Sequence, residues 1–290
     1  MFIIKYKKIF FLISSILVIG SILALIFYGL NLGIDFTGGS LMEGTFIERP
    51  SNDQIKEKLK DFDLGEIVVQ QTGENNILIR MKDINEETHQ EILNSLEGFE
   101  ELRFESIGPV IGRELKKKAI YAIIVTLIVI LLFIALAFRK VSFIIKSYKY
   151  GILAVLALFH DILILLGVFA ILGKFLNVEV GVPFVAALLA TLGYSVNDSI
   201  VVFDRVRENL LISEHREDLD ELVSKSLKQT LVRSLNTSLT TLLVLLAVLF
   251  FGGSTIQYFI LALVIGIIAG TYSSLFIAAP LLLIWEKRKK

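Results

Sequence analysis

The chain has 290 residues, 54% of them apolar and 20% charged, with 29 basic residues balancing 29 acidic ones and no cysteine. The charges are clumped between long uncharged stretches, which excludes a soluble globule with charge spread along most of its length. Zero net charge gives no footing for nucleic acid, and the missing cysteine excludes disulfides and thiol chemistry.

Lys5, Lys7 and Lys8 precede an apolar run over residues 9–30. The run is longer than the hydrophobic stretch of a signal peptide and no A-x-A-like site follows, so it reads as a retained first transmembrane helix. Residues 31–118 form the one soluble segment large enough for a domain. Strand patterns fall at residues 41–48, 66–71, 75–81 and 102–107, with helices from residue 51 and over residues 86–96. Ser51 and Gln54 have capping-box spacing, and Thr72, Gly73 and Glu74 form a turn. The order β-α-β-β-α-β is the ferredoxin-like signature. No residues there have catalytic or metal-ligand spacing, and His89, in a charged helix, reads as solvated.

Further spans fall at residues 119–138, 151–171, 182–203 and 258–285. A fifth span is less plain, because its apolar part, residues 242–251, is half of the roughly 20 residues a crossing needs. Gly252 and Gly253 stop it on one side, so it lengthens backwards and carries Arg233, Asn236, Thr237, Thr240 and Thr241 towards the membrane. Their spacing places them on one helical face, which is expected to turn into the bundle rather than towards lipid; Arg233 alone also reads as a snorkelling surface residue. The expected fold is an all-α bundle of six transmembrane helices with a small α+β ferredoxin-like extracytoplasmic domain between the first two. The expected divisions are residues 1–30, 31–118 and 119–290.

Six spans place both termini on one side. That side takes the N-terminal lysines, the loop at residues 139–150, the segment 204–236 and the basic tail from Glu286 to Lys290. It holds 17 of the 29 Lys/Arg and is read as cytoplasmic. Lys116, Lys117 and Lys118 are a misfit to that rule.

An ionised side chain at the bilayer centre costs roughly 2.5–3.5 kcal/mol on insertion scales. Three places need such a reason: His160-Asp161 in the third span, Asn197-Asp198 in the fourth and Arg233 in the fifth. Adjacent helical residues diverge by about 100°, so His160 and Asp161 are not expected to share a direction; the residues alone leave Asp161 either functional or structural. Ala186, Ala190, Gly193 and Asn197 form a small-residue stripe, and Gly266 and Gly270 have G-x-x-x-G spacing ahead of Ser273 and Ser274. The fourth, fifth and sixth spans are expected to pack around these small and polar faces. Burial disfavours a carboxylate anion and a nearby guanidinium favours it. An Arg233 that approaches and retreats would make Asp198 release and take up a proton. Asp198, Arg233, Asn197, Asp161, Thr237 and Thr241 are therefore the candidate relay and coupling residues.

Several motifs carry a resemblance. They are Leu32-Gly33-Ile34-Asp35-Phe36-Thr37-Gly38-Gly39, Ile107-Gly108-Pro109-Val110-Ile111-Gly112-Arg113-Glu114-Leu115, the run from Gly193 to Asn209 containing Tyr194-Ser195-Val196-Asn197-Asp198-Ser199, the run from Arg233 to Thr241, Phe251-Gly252-Gly253 and Gly270-Thr271-Tyr272-Ser273-Ser274. Along essentially its whole length the chain resembles the SecF family of the SecDF protein-export complex, in the resistance-nodulation-division superfamily. Ser234 stands where that family more often has threonine. The resemblance implies six helices paired with six from a SecD-like subunit, association with a SecY-type translocon, and use of the proton-motive force to help draw preproteins across a bacterial cytoplasmic membrane. It implies that the family's essential acid falls on Asp198 and its arginine on Arg233, and that a further acid belongs to SecD. It makes Asp35, Gly38, Gly39, Gly108 and Pro109 a domain junction; from the residues alone Asp35 to Gly39 reads equally as an ordinary turn.

No cofactor is expected beyond an ion gradient, in which Na⁺ could replace H⁺. The expected partners are the SecD-like subunit, the translocon, the preprotein and the bilayer, and no enzymatic activity is expected. The competing readings are a self-contained exporter of small molecules or lipids, a scaffold without proton chemistry, and an intramembrane aspartyl protease with Asp161 and Asp198 as its dyad.

Overall fold

The computed structural model describes residues 2–46, 50–71, 76–138, 145–213 and 218–287. The turn expected at Thr72-Gly73-Glu74, most of the loop after residue 138 and the basic tail beyond Lys287 lie outside the described residues. The chain divides into two compact units, Leu32–Ile120 and the remainder, Met1–Asn31 with Tyr121–Lys290.

The smaller unit follows a short helix α3 (Ile34–Thr37) with β1 (Gly39–Phe46), α4 (Asn52–Lys58), β2 (Val68–Gln71), β3 (Asn76–Met81), α5 (Glu86–Ser95) and β4 (Phe99–Ile107). The sheet order is β2-β3-β1-β4 and every neighbouring pair is antiparallel. This is the ferredoxin-like βαββαβ arrangement. The Ser51 hydroxyl accepts from the Gln54 amide at 3.3 Å, and the Gln54 side chain accepts from the Ser51 amide at 2.8 Å. This completes the capping box that starts α4. Alternate residues of β3, Ile77, Ile79 and Met81, point inwards and meet Ile55 and Leu59 of the first helical region and Ile92 and Leu96 of the second. The β1–β4 register slips between Glu43 and Gly44, where a Cβ on Gly44 would lie 2.2 Å from the Phe99 ring. Phe99 packs into the space that glycine leaves open.

His89 is buried rather than solvated. Its ring stacks on Phe104 with centroids 3.7 Å apart and planes 8° from parallel. Nε2 lies 3.0 Å from a Glu101 oxygen and Nδ1 3.3 Å from both oxygens of Glu86. Hydrogen bonds from Gln90 first, and then from His89, hold the Glu86 carboxyl below its ordinary range. His89, Ile92 and Leu96 share one face of the α5 region, so the imidazole belongs to the face that packs on the sheet.

The larger unit contains α1 (Phe2–Lys5), α2 (Lys7–Tyr28), most of α6 (Pro109–Ala137), α7 (Ser147–Leu176), α8 (Val182–Ile212), α9 (Leu219–Phe251), α10 (Ser254–Ser273), a π-helical turn (Ser274–Ala278) and α11 (Ala279–Lys287). The last three form one continuous span, which gives, among the described residues, six helical spans long and apolar enough to cross a membrane. As its short apolar run requires, α9 extends far back before residue 242, and it stops at Gly252. The sixth span is the centre of the unit, with 67% of its most apolar window buried, against 11% for α9 and 6% for α6. Close approach to α2 is permitted by Gly167, where a Cβ would lie 2.3 Å from Ser21. Tyr272 ties the last span to α2 by donating to the Phe10 carbonyl at 2.7 Å.

Candidate functional site

A polar seam crosses the interior of the helical unit. On α7, Asp161 is 5% exposed and its Oδ2 accepts two hydroxyls, from Ser195 of α8 at 2.6 Å and Ser273 of α10 at 2.8 Å. Its Oδ1 lies 2.9 Å from Nδ1 of His160. The expectation that His160 and Asp161 diverge is therefore corrected. Their Cβ atoms do diverge around the helix, but the imidazole is long enough to fold back onto the next residue's carboxylate. On α8, Asp198 is 7% exposed and accepts from Ser274. The seam continues to α9, where the Ser238 and Thr271 hydroxyls lie 2.6 Å apart and Tyr194 donates to Ser238 at 3.2 Å.

Neighbouring serines of the sixth span thus serve carboxylates on two different helices. This occurs where the helix passes from α to π geometry, a local widening often found at functional positions. Close packing brings the serines in. A Cβ on Gly266 would lie 2.3 Å from Thr191, and one on Gly270 would lie 2.7 Å from Ser195 Cβ. The two glycines let α10 approach the α8 face that carries Ser195 and Asp198.

The expected inward direction of two other faces is also corrected. Arg233, Asn236, Thr237 and Thr240 are exposed and Thr241 is half-buried, while Ser226, Thr230, Ser234 and Ser238 occupy the buried face of α9. Ala186, Ala190, Gly193 and Asn197 of α8 are exposed, and a Cβ on Gly193 would meet nothing within 4 Å. Both helices carry two faces able to pack, and the interior of this chain takes the serine and threonine faces. Among the described residues Asp198 and Arg233 form no ion pair. Thr237, Thr240 and Thr241 donate to the carbonyls four residues earlier at 2.9–3.0 Å, so their hydroxyls remain satisfied on the outward face.

Asp161 and Asp198 are held by different serines, and among the described residues no hydrogen bond joins them. The shared-proton geometry of an aspartyl dyad is not the observed arrangement. Reading the sequence for ionisable groups missed Ser195 and Ser238 and left Ser273 and Ser274 as mere neighbours of a glycine motif. The available signal was the four-residue repeat of hydroxyls at 226, 230, 234 and 238.

The junction residues form a second, separate cluster within the smaller unit. Gly38 has φ +78° and Gly39 φ +125°, and a Cβ on Gly38 would lie 2.7 Å from Pro109 Cα. A Cβ on Gly39 would meet the Met81 carbonyl at the same distance, and one on Gly112 would lie 2.9 Å from the Gly38 amide. The two glycines therefore seat the chain between the first turn of α6 and the end of β3. Asp35 stands in the first turn of α3. Gly108 precedes α6, with Asp83 at ordinary contact distance from where its Cβ would be. Beside it, Ser106 donates to Asp83 at 2.7 Å and pairs with Ser40 at 2.8 Å. Gly38→Ala is expected to combine a left-handed backbone cost of about 1–2 kcal/mol with a collision against main chain that has no flexible end to move. Gly98→Ala, at φ +74° with nothing within 4 Å, should carry the backbone cost alone. Hydrogen exchange of β1 and β4 in the full chain distinguishes the two.

Residues 88–288 match the family described as protein export membrane protein SecD/SecF, C-terminal, and residues 23–43 match the SecD/SecF GG motif. The protein translocase subunit SecF of Thermobaculum terrenum is 42% identical, over 99% of this chain and 94% of that protein. The subunit of Vibrio alginolyticus is 40% identical over 96% of this chain and 88% of its own length. A crystal structure of SecDF, a translocon-associated membrane protein from Thermus thermophilus, superposes with a TM-score of 0.86 at 34% identity, covering 98% of this chain. This chain spans only 38% of the length of that one. A second structure, of SecDF in the super-membrane-facing form, gives 0.67 at 33% identity, again over 98% and 38%. Six membrane-spanning helices, a glycine-glycine junction beside a βαββαβ unit and relatedness along nearly the whole chain agree: this multi-pass membrane protein belongs to the SecF family of protein translocase subunits.

Proposed function

We propose that this translocase subunit is one half of a membrane machine that spends an ion gradient, most simply of protons, to assist preprotein movement through a SecY-type translocon. In this reading it does no covalent chemistry. It lies in the bacterial cytoplasmic membrane with both termini inside, and a SecD-like subunit supplies the other six helices. Asp198 is the acid that takes up and releases the coupling ion, and Asp161 lies beside it in the same seam.

The observation that carries this reading is the contrast between the two sides of α8 and α9. The inward side of α8 holds Asp198, which accepts from Ser274, and Ser195, which donates to Asp161 of α7; the inward side of α9 carries Ser226, Thr230, Ser234 and Ser238. The outward sides carry Arg233 and a stripe of small residues that is exposed among the described residues, with open space beside Gly193. A guanidinium facing lipid is costly and a small-residue face favours close helix approach. A second bundle covering this surface satisfies both demands. Arg233 then meets a carboxylate of the partner rather than Asp198.

The test is preprotein translocation in proteoliposomes containing the chain, its SecD-type partner and the translocon, with a proton gradient, a sodium gradient or neither. Stimulation by one gradient is expected; equal rates in all three would overturn the reading. Removing one member of a buried ion pair costs about 3–5 kcal/mol. Arg233→Ala is therefore expected to lower both gradient-driven translocation and the partner recovered on purification, whereas a snorkelling Arg233 would change neither.

A further inference from the structure

His160 is 6% exposed, and its Nε2 is fully enclosed with no hydrogen-bond partner among the described residues. A buried polar nitrogen left in this state calls for an explanation, because such atoms are nearly always paired. The other ring nitrogen, Nδ1, is engaged with Asp161 Oδ1 at 2.9 Å. The ring lies nearly parallel to Tyr272, centroids 6.2 Å apart, but the Tyr272 hydroxyl is already given to the Phe10 carbonyl. An imidazole whose Nδ1–H points at a carboxylate carries a free lone pair on Nε2. That atom can take one proton, forming one N–H bond and breaking none in the protein.

We propose that His160 and Asp161 form a second proton-binding station, linked to Asp198 through Ser273 and Ser274. This rests on the reading of Asp198 as the coupling acid. The link is a pair of hydroxyls that each have two acceptors. Ser273 is 2.8 Å from Asp161 Oδ2 and 3.1 Å from the Gly270 carbonyl. Ser274 donates to Asp198 and also lies 3.1 Å from the Thr271 carbonyl. A proton on Nε2 makes the ring an imidazolium whose charge draws on Asp161 and weakens that carboxylate as an acceptor for Ser273, as a proton on Asp198 does for Ser274, and the released serine turns to the helix's own carbonyl. The serines are consecutive and stand where α geometry gives way to the π turn, so a change at one is carried by the backbone to the other. The groups that face the dyad are Ser195 from α8, Tyr272 and Ser273 from α10, and the Phe10 carbonyl of α2 behind Tyr272. Asp198 lies one serine further on. Among the described residues no lysine or arginine forms an ion pair with either member.

The experiment uses the chain with its SecD-type partner in lipid. In His160→Asn the amide nitrogen still reaches Asp161 where Nδ1 did, and what is removed is the Nε2 position. A positioned proton carrier is worth roughly 10²–10⁴ in rate, so gradient-driven translocation should fall at least tenfold while the gradient-free rate stays unchanged. Nitrogen-15 histidine NMR, with His160 assigned by difference, should show Nε2 gaining a proton when the medium is acidified. In Asp198→Asn that transition should move. If His160→Asn does not assemble, the variant with His89 and His215 both replaced by Gln leaves His160 as the sole histidine of this chain, and labelling this chain alone before it joins the partner gives the same spectrum. An Nε2 that never gains a proton on acidification overturns the proposal, as does a normal gradient-driven rate in His160→Asn. A normal gradient-driven rate in Asp198→Asn would instead remove the reading on which the dyad rests.

Discussion

Asp198→Asn is expected to reduce gradient-driven preprotein translocation to the rate seen without a gradient, in a protein that still folds and still binds its partner. Asparagine has nearly the shape of aspartate, and its carbonyl oxygen can accept the Ser274 hydroxyl that Asp198 now accepts. Its amide hydrogens are left short of an acceptor in an apolar setting, at a cost of about 1–3 kcal/mol, which a folded membrane unit with this much buried surface can absorb. What asparagine cannot do is exchange a proton. One charge moved across 100 mV is worth about 2.3 kcal/mol, a bias of about fiftyfold on a two-state element. That figure sets the scale of what one titrating carboxylate can deliver per 100 mV in each cycle. Co-purification of the partner and the thermal transition of the complex separate loss of coupling from loss of fold. Gradient-driven translocation that survives unchanged in a well-assembled Asp198→Asn complex would take the coupling role away from this side chain.

The fold was legible where a single physical demand acted alone. A run of about 20 apolar residues has few ways to exist except as a span. The short run at residues 242–251 had only one direction in which to lengthen, because Gly252 and Gly253 closed the other. Alternation in β3 and the Ser51–Gln54 spacing identified the elements of the smaller unit in the same way. His89 was legible in principle, since Ile92 and Leu96 continue its face at spacings of three and four. The charges around it on α5 concealed that pattern.

The site was less legible because rotation of a membrane helix is not set by hydrophobicity. Lipid and an apolar neighbour helix are nearly equivalent solvents for Leu or Val, so packing and polar contacts decide which face turns inwards. On α9 two polar faces competed. Arg233 and its threonines carry the more conspicuous chemistry, yet the smaller hydroxyls at 226, 230, 234 and 238 fit the interior. On α8 the stripe through Gly193 and the face through Thr191, Ser195 and Asp198 posed the same ambiguity, and the structure buries the second. In the proposed reading, a chain that forms half of a larger bundle presents two packing faces on its central helices. On α9 the hydroxyl repeat marks one such face, but hydrophobicity does not rank the two faces on either helix.

That distinction predicts opposite consequences for glycines that look alike in the sequence. Gly270→Leu is expected to damage the chain itself. Even the first added carbon would lie 2.7 Å from Ser195 Cβ and 3.2 Å from its Cα, so α8 and α10 must separate. Overpacking of this kind costs about 1–3 kcal/mol and more where backbone has to move. The displaced residue is Ser195, which donates to Asp161, and Ser273 and Ser274 follow on the same helix, so both carboxylates lose their donors together. Gly266→Leu meets Thr191 at 2.3 Å and should act likewise. Gly193→Leu enters open space in this chain and should leave its thermal transition nearly unchanged, while weakening the complex if a second bundle packs on that stripe. The measurement is paired: melting of the chain purified alone, and recovery of the SecD-type partner. Gly270→Leu should lower the first, and Gly193→Leu only the second. A Gly193→Leu chain that melts early by itself would show that the stripe already packs inside the chain, and the outward face of α8 would then not be a docking surface.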